Sequence, residues 1–402
     1  MSHDCLSDPI RAAVFVAPGA PLELREFPRP QLAAGEVLVR ISCCTLCGSD
    51  LHTYLGRRPT VTPTVLGHEA LGRVAELGPG NPIRDLAGQP LKVGDRVSWS
   101  VVASCEQCFF CRAGLPQKCE KLFKYGHESC CNGHPLSGGL AEFCQLAVGT
   151  PIARLPEEIP DVVASSANCA TATAAAALRA VDGCRDQVVL VQGAGLLGLT
   201  MSAMARVGGA AAVIVADVDP ARSSLASLFG ATFTVNLADS PQQLERIVSK
   251  HTAGRGVDLA FEMSGTAAAM EQGLELLRIG GRYVLVGAVS PTRPVKVDAD
   301  QLVRRMLTLQ GIHNYAPQDL AAAIEFLTIH HAKFPFQELV TGVFSLAQAD
   351  AAFGHAVETS AVRTAVRPQL TLIEESKATP RRRPFSRPIA SSCATEQSEV
   401  KK

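Results

Sequence analysis

The hexapeptide Gly193-Ala-Gly195-Leu-Leu-Gly198 constrains this chain more than any other feature, because of what surrounds it. It follows directly on the apolar run Val188-Val-Leu-Val-Gln192 and opens a helical stretch, Leu199 to Arg206. A β-branched run, a glycine turn and a helix in that order begin a βαβ unit, and each glycine then has a physical reason. Gly193 lets the strand turn sharply, Gly195 lets the backbone approach a pyrophosphate, and Gly198 lets helix and sheet pack closely. The helix N-terminus offers free N–H groups and a positive dipole end to phosphates. Nineteen residues after Gly198 the next apolar strand, Ala212-Val-Ile-Val-Ala, ends in Asp217. A carboxylate there binds the two ribose hydroxyls of NAD and repels a 2′-phosphate, so NAD is expected over NADP. The plainer alternative is that the three glycines serve only a tight turn.

The texture of the chain divides near Ala170. Before it lie Gly, Pro and short β-like runs such as Glu36 to Ile41, which read as an irregular strand-rich domain. After it, buried-looking strands (Val188–Val191, Ala212–Ala216, Val257–Phe261, Tyr283–Val286) alternate with helical stretches such as Pro220–Phe229 and Ala267–Leu277. That alternation is the pattern of a doubly wound parallel sheet. Beyond Ile312 the pattern stops, and helical stretches around Leu320–Leu327 and Leu346–Val357 are expected to rejoin the first domain. The expected division is 1–170 with 313–374, a cofactor domain at 171–312, and a disordered tail at 375–402. The tail is basic and Pro-rich, and its Arg381-Arg-Arg run is either a solvated tail or a localisation or docking signal. A chain of 402 residues, 47% apolar and 19% charged, can bury two such cores.

Lys plus Arg equals Asp plus Glu at 38 each, so there is no electrostatic footprint for nucleic acid or an anionic membrane. Met1 to Arg11 has no apolar core of a secretory signal, and the uncharged run Gln187–Ala205 reads as strand, turn and helix before a membrane span. The expected compartment is the cytoplasm, where 14 cysteines point to metal binding or reactivity and not to disulfides.

Four of those cysteines stand in one loop, Cys105-x2-Cys108-x2-Cys111-x7-Cys119. Four thiolates saturate a tetrahedral Zn²⁺ and leave no open position, which makes that zinc structural. An iron–sulfur cluster is the alternative. A second donor set is scattered: Cys47-Gly-Ser49-Asp50-Leu-His52, Gly67-His68-Glu69 and Asn168-Cys169-Ala-Thr-Ala-Thr173. Two thiolates and one imidazole would leave a zinc position free for water or substrate. Taken singly, His68 or Cys169 is more often a core residue than a ligand.

Together these residues resemble the zinc-containing medium-chain alcohol dehydrogenases. The motifs Cys47-Gly-Ser-Asp-Leu-His52, Gly67-His-Glu-Ala-Leu-Gly72 followed by Gly78, the four-cysteine loop, the glycine hexapeptide and Asp217 occur in that family's order across Arg11 to Leu370. The resemblance implies an α/β fold, with a GroES-like β-rich catalytic domain and a Rossmann cofactor domain flanking the active-site cleft. It implies Cys47, His68 and Cys169 as ligands of a catalytic zinc, and a second, structural zinc on the four-cysteine loop. Asp50 would fix the zinc-bound imidazole, and Glu69 would lie near the metal. Ser49 would take the substrate proton and His52 would end that relay. Thr173 and Leu197 would touch the nicotinamide, and Arg363 the pyrophosphate. Stretches such as Cys119-Glu-Lys-Leu-Phe-Lys-Tyr-Gly-His-Glu128 are similar to the branch associated with phosphonate catabolism. That branch implies an anionic substrate group meeting Arg57, Arg58, Lys124 or His127, for which surface solvation is the alternative reading. Cys43, Cys44, Cys130, Cys131 and Cys144 lie outside the family's motifs, as does the Arg-rich tail.

The implied reaction is reversible oxidation of an alcohol to an aldehyde or ketone with hydride passing to NAD⁺, in a homodimer or homotetramer. Two rivals are a zinc-free, NADPH-dependent quinone or enone reductase of the same fold and a dinucleotide-binding relative without turnover. The complete ligand set, Asp217 and Ser49 argue against both.

Overall fold

The computed structural model describes residues 9–240 and 242–370. The expected tail at 375–402 lies outside the described residues.

The βαβ segments build a six-stranded, wholly parallel sheet. Its spatial order is Phe233–Asn236, Ala212–Asp217, Val188–Gln192, Val257–Glu262, Leu277–Leu285 and Thr308–Gly311. The inner strands are apolar on both faces because helices cover both, and Val189, Leu190, Val191, Val213, Ile214 and Val215 are all fully buried. Chain order reverses at Val188–Gln192. From there it runs outward on one side to Phe233–Asn236, and resumes on the other at Val257–Glu262. A crevice therefore opens beyond the carboxyl ends of these two strands, where ligands bind in such sheets.

The helix after the glycine turn begins at Leu196, three residues before the expected Leu199. Gly198 is thus inside the first helical turn. A Cβ there would lie 1.8 Å from the carbonyl oxygen of Gly193, so only glycine lets the first turn fold back onto the strand end. The expected helix Pro220–Phe229 is α-helical over Pro220–Ala226 and closes with a 3₁₀ turn, Ser227–Phe229.

The first third of the chain forms a three-stranded sheet and a larger, mostly antiparallel one. The larger sheet runs Ile152–Arg154, Arg96–Trp99, Glu69–Leu77, Val37–Thr45, Arg363–Arg367 and Val340–Ser345, with Phe143–Leu146 also paired to Val37–Thr45. After Gly311 the chain returns to it. Arg363–Arg367 pairs antiparallel to Val37–Thr45, setting Ala365 opposite Thr45 and Val366 opposite Cys44. One apolar cluster (Val37, Val39, Ile41, Val97, Trp99, Phe353) lies under these sheets, and another lines one face of the parallel sheet. A third is continuous between the two layers, joining Leu71 and Val101 to Val189, Val191 and Leu320. Helices Ala172–Arg179 and Pro317–His330 pack on each other within it, which fixes the walls of the crevice.

Candidate active site

Cys47 is the N-cap of helix Gly48–Tyr54, and its N–H donates to Asp50 Oδ2 at 2.9 Å. The other oxygen of Asp50 faces His68 Nδ1 at 3.1 Å and Gly67 N–H at 3.4 Å. One fully buried carboxylate therefore ties the start of the helix to the imidazole. With Nδ1 so engaged, His68 presents Nε2 to the cleft as its ligand atom. Cys169 comes from a π-helical turn, Ala167–Thr171, which widens the chain before helix Ala172–Arg179. Neighbouring Asn168 pins that turn, its Nδ2 donating to the His68 carbonyl at 3.0 Å and to the Trp99 carbonyl at 2.9 Å. The ligand atoms of Cys47, His68 and Cys169 all lie within 4.8 Å of one another.

Two thiolates on a tetrahedral zinc stand about 3.8 Å apart when each Zn–S bond is about 2.3 Å. Cys47 Sγ and Cys169 Sγ are 3.9 Å apart, so the pair fits a zinc ion. The hydrogen bond from the Cys169 thiol holds Cys47 well below the ordinary thiol range, with Arg363 and His68 acting in the same direction against burial. Ser49 Oγ lies 3.3 Å from His68 Nε2, at the rim of the same donor set.

Glu69 is fully buried behind the donors. Arg363 grips it with two bonds, Nε to Oε2 at 2.8 Å and Nη2 to Oε1 at 2.9 Å, and Thr45 Oγ1 adds a third at 2.9 Å. Burial pushes the Glu69 carboxyl up while Arg363 pulls it down. Arg363 Nη2 also lies 3.9 Å from Cys47 Sγ. The arginine expected at the pyrophosphate thus has the Nε–Nη2 edge of its guanidinium turned to Glu69 and Nη1 on the Val362 carbonyl at 2.8 Å, while still lining the cleft with Gly195.

The four loop cysteines form a second cluster with ligand atoms within 4.8 Å of one another. Cys108 Sγ is 3.5 Å from Cys111 Sγ and 4.0 Å from Cys119 Sγ, which again fits a tetrahedral thiolate site. Backbone N–H groups of Cys105 and Lys121 point at Cys119 Sγ at 3.2 and 3.3 Å. The Glu120 N–H, with that of Cys111, holds Cys108 down to about 6, while burial and the hydrogen bonds with Cys108 and Cys119 push Cys111 up to about 12.

The opposite wall of the cleft is the dinucleotide face, with Gly195, Leu196, Leu197, Met263, Ser264 and Gly287 at the crevice of the parallel sheet. No side chain caps the helix Leu196–Val207 at Gly195, and a Cβ built on Gly195 would meet nothing within 4 Å. Space and unsatisfied N–H groups coincide there, as a pyrophosphate needs. Asp217 stands at the carboxyl end of its strand, Oδ2 accepting from Ala194 N–H at 2.5 Å and Oδ1 from Asp219 N–H at 2.8 Å. Each oxygen keeps a further lone pair for a ribose hydroxyl. His52 and Thr173 line the cleft between the two walls. His52 Nδ1 is buried without a hydrogen-bond partner, an orphan that a bound polar group would satisfy.

Asn168 and Thr45 were not singled out by sequence reasoning. Asn168 was visible in the Cys169 motif, but its partners lie 100 and 69 positions away. Arg57 is exposed and is not among the cleft-lining residues, whereas Arg58, Lys124 and His127 are. His313 lines it too and carried no local signal.

Comparison with known proteins agrees with this geometry. Residues 33–157 match the model of the alcohol dehydrogenase GroES-like domain, and residues 197–328 that of the zinc-binding dehydrogenases. The chain is similar to 5-exo-hydroxycamphor dehydrogenase of Pseudomonas putida, 32% identical over 85% of this chain and 94% of that one. It is also similar to L-threonine 3-dehydrogenase of Anaeromyxobacter dehalogenans, 31% identical over 72% of this chain and 79% of that one. Among solved structures, an alcohol dehydrogenase from Thermotoga maritima superposes with a TM-score of 0.85 at 30% identity, covering 90% of this chain and all of the other. The GroES-like and parallel-sheet halves, the two donor clusters and these relatives agree: the chain belongs to the zinc-type medium-chain alcohol dehydrogenase family.

Proposed function

We propose that this dehydrogenase is zinc-dependent, holding one catalytic and one structural zinc, and oxidises an alcohol to an aldehyde or ketone with NAD⁺ as hydride acceptor. The observation that carries the reading is the convergence of Cys47, His68 and Cys169, within 4.8 Å of one another, on a cleft whose far wall is the glycine turn. Zinc would supply the Lewis acidity that makes a hydroxyl acidic near neutral pH, and the nicotinamide a two-electron acceptor. Cys47, His68 and Cys169 would hold the metal, and the thiolates temper its charge. Asp50 keeps the proton of His68 on Nδ1, leaving Nε2 free to ligate. Ser49 Oγ takes the proton of the alcohol hydroxyl, and the His52 imidazole ends that relay, its Nδ1 buried without a protein partner. Glu69 adds negative charge behind the donor set, balanced by Arg363. Leu197 and Thr173 shape the wall for the nicotinamide ring, and the loop from Gly193 to Gly198 holds the pyrophosphate. Asp217 selects NAD, since a 2′-phosphate would face a carboxylate already fixed by two backbone N–H groups. Cys105, Cys108, Cys111 and Cys119 would hold the structural zinc.

A homodimer or homotetramer is supported by the outer strand Thr308–Gly311, which is exposed, Leu309 included, at the edge of the parallel sheet near exposed Ile279, Val303 and Met306. A reducing compartment, the cytoplasm, fits a chain whose described cysteines are all free. No helix among the described residues is long and apolar enough to cross a membrane.

The test is reduction of NAD⁺ and NADP⁺, followed by absorbance, over primary, secondary and polyol alcohols. Turnover with NAD⁺ at least about tenfold more efficient than with NADP⁺ is expected from one carboxylate facing a phosphate. Absence of turnover with every alcohol, on protein carrying two zincs, would overturn the reading.

A further inference from the structure

Glu262 ends the strand Val257–Glu262 at the crevice of the parallel sheet and is fully buried. Its Oε1 accepts three hydrogen bonds from the two residues that follow Met263: Ser264 N–H at 2.7 Å, Ser264 Oγ at 2.6 Å and Gly265 N–H at 2.7 Å. Its carbonyl accepts from the N–H groups of Val286 and Gly287, both at 3.0 Å. Met263, Ser264, Val286 and Gly287 line the cleft on the wall that also carries Leu197. One residue therefore holds both loops of that wall. The backbones behind it pack closely: a Cβ on Gly265 would lie 2.6 Å from the Gly287 carbonyl oxygen, and one on Gly193 would lie 2.9 Å from the Ser264 nitrogen. A charge set there has no contact with solvent to screen it.

What these loops do not supply is a cation. Among the described residues Glu262 Oε2 is buried without a hydrogen-bond partner, and every partner of Oε1 is neutral. Buried carboxylates beside the metal donors are matched instead: Asp50 faces His68, and Glu69 is gripped by Arg363. Burying a carboxylate with no counterion is costly, and a neutral acceptor at Oε1 would hold the loop as well. The field of the group reaches its neighbours, since burial first and Glu262 second push the Tyr283 hydroxyl up. A cationic ring bound on this wall would be the missing partner.

We infer that Glu262 sets the balance between the two redox forms of the cofactor. The nicotinamide ring is a cation in NAD⁺ and neutral in NADH. An unpaired carboxylate behind the wall it meets favours the oxidised form on entry. Arrival of the hydride, with its electron pair, cancels the ring charge and with it the attraction, so the reduced form is released more readily. The inference rests on the dinucleotide reading of the cleft and needs neither zinc nor turnover.

The test is calorimetric binding of NAD⁺, NADH and ADP-ribose to the wild type, Glu262→Gln and Glu262→Asp. At an effective dielectric of about 20, one nearby charge changes a binding constant about tenfold, so Glu262→Gln should weaken NAD⁺ by about that factor. NADH and ADP-ribose, which carry no ring cation, should stay within about twofold. Glu262→Asp keeps the charge, so its ratio of NAD⁺ to NADH affinity should stay within about threefold of the wild type even where the shorter side chain loosens the loop. A second measurement needs no variant: the wild type should bind NAD⁺ at least about fivefold tighter than benzamide adenine dinucleotide, whose ring has the same shape and no charge. Equal weakening of all three ligands in Glu262→Gln would leave Glu262 a loop anchor alone and overturn the inference. So would a wild type that binds the benzamide analogue as tightly as NAD⁺. Failure of ADP-ribose to bind the wild type would remove the dinucleotide reading itself, and the inference with it.

Discussion

Asp50→Asn is the substitution whose consequence the geometry specifies most fully. The carboxylate of Asp50 has both oxygens facing donors: Cys47 N–H at 2.9 Å on Oδ2, and His68 Nδ1 at 3.1 Å with Gly67 N–H at 3.4 Å on Oδ1. An asparagine amide is a similar shape but has one accepting end and one donating end. If its oxygen stays on His68, its NH₂ opposes the Cys47 N–H and leaves a buried donor unsatisfied. If the amide flips, it donates to His68 Nδ1, which forces the ring proton onto Nε2 and blocks the ligand atom. Either arrangement costs about 1–3 kcal/mol in a site with no exposure to water. Loss of such an orienting partner lowers metal affinity about 10–100-fold, or about 1.4–2.7 kcal/mol. The assay is competition for zinc with a calibrated chelator, in which the four-cysteine site of the same chain serves as internal reference. The account expects the catalytic site alone to weaken, and kcat to fall in parallel on partly loaded protein. A catalytic site in Asp50→Asn that holds zinc within about twofold of the wild type would refute the role given to this carboxylate.

Two further outcomes follow from other parts of the structure. Gly198→Ala would put a Cβ 1.8 Å from the Gly193 carbonyl, so helix and turn must separate; about 1–3 kcal/mol of overpacking should cost about tenfold or more in NADH affinity by fluorescence titration, with zinc content unchanged. Arg363→Met leaves Glu69 charged and buried without its partner, which should cost about 3–5 kcal/mol by denaturant titration, and the double variant Glu69→Gln/Arg363→Met should regain part of it.

What the sequence made legible was the chemistry that demands particular residues at short spacing. The glycine hexapeptide, the strand ending in Asp217 and the four-cysteine loop are local, and each can be read without knowing the fold. The catalytic donors were legible only as fragments, because Cys47, His68 and Cys169 are brought together by a helix cap, a strand end and a π-helical turn from separate parts of the chain. Arg363 was placed by resemblance near the pyrophosphate, while its bond to Glu69 spans 294 positions and has no local signature. Helix Gln243–His251 gives a weak apolar signal because only Leu244 and Val248 of its residues are buried. Strand Thr308–Gly311 carries no such signal, because all four residues are exposed at the sheet edge and no alternation of apolar and polar residues marks it. Arg58, Lys124 and His127 stand in recognisable stretches, but that all three line one cleft is a property of the fold.

The most direct test of the central claim is zinc per chain, with turnover, in the wild type and in Cys47→Ala. The account predicts two zincs falling to about one, turnover lost, and NADH binding retained, because Cys47 belongs to the donor set while the glycine turn is intact. Two zincs and undiminished turnover in Cys47→Ala would contradict it, as would loss of NADH binding with both zincs in place.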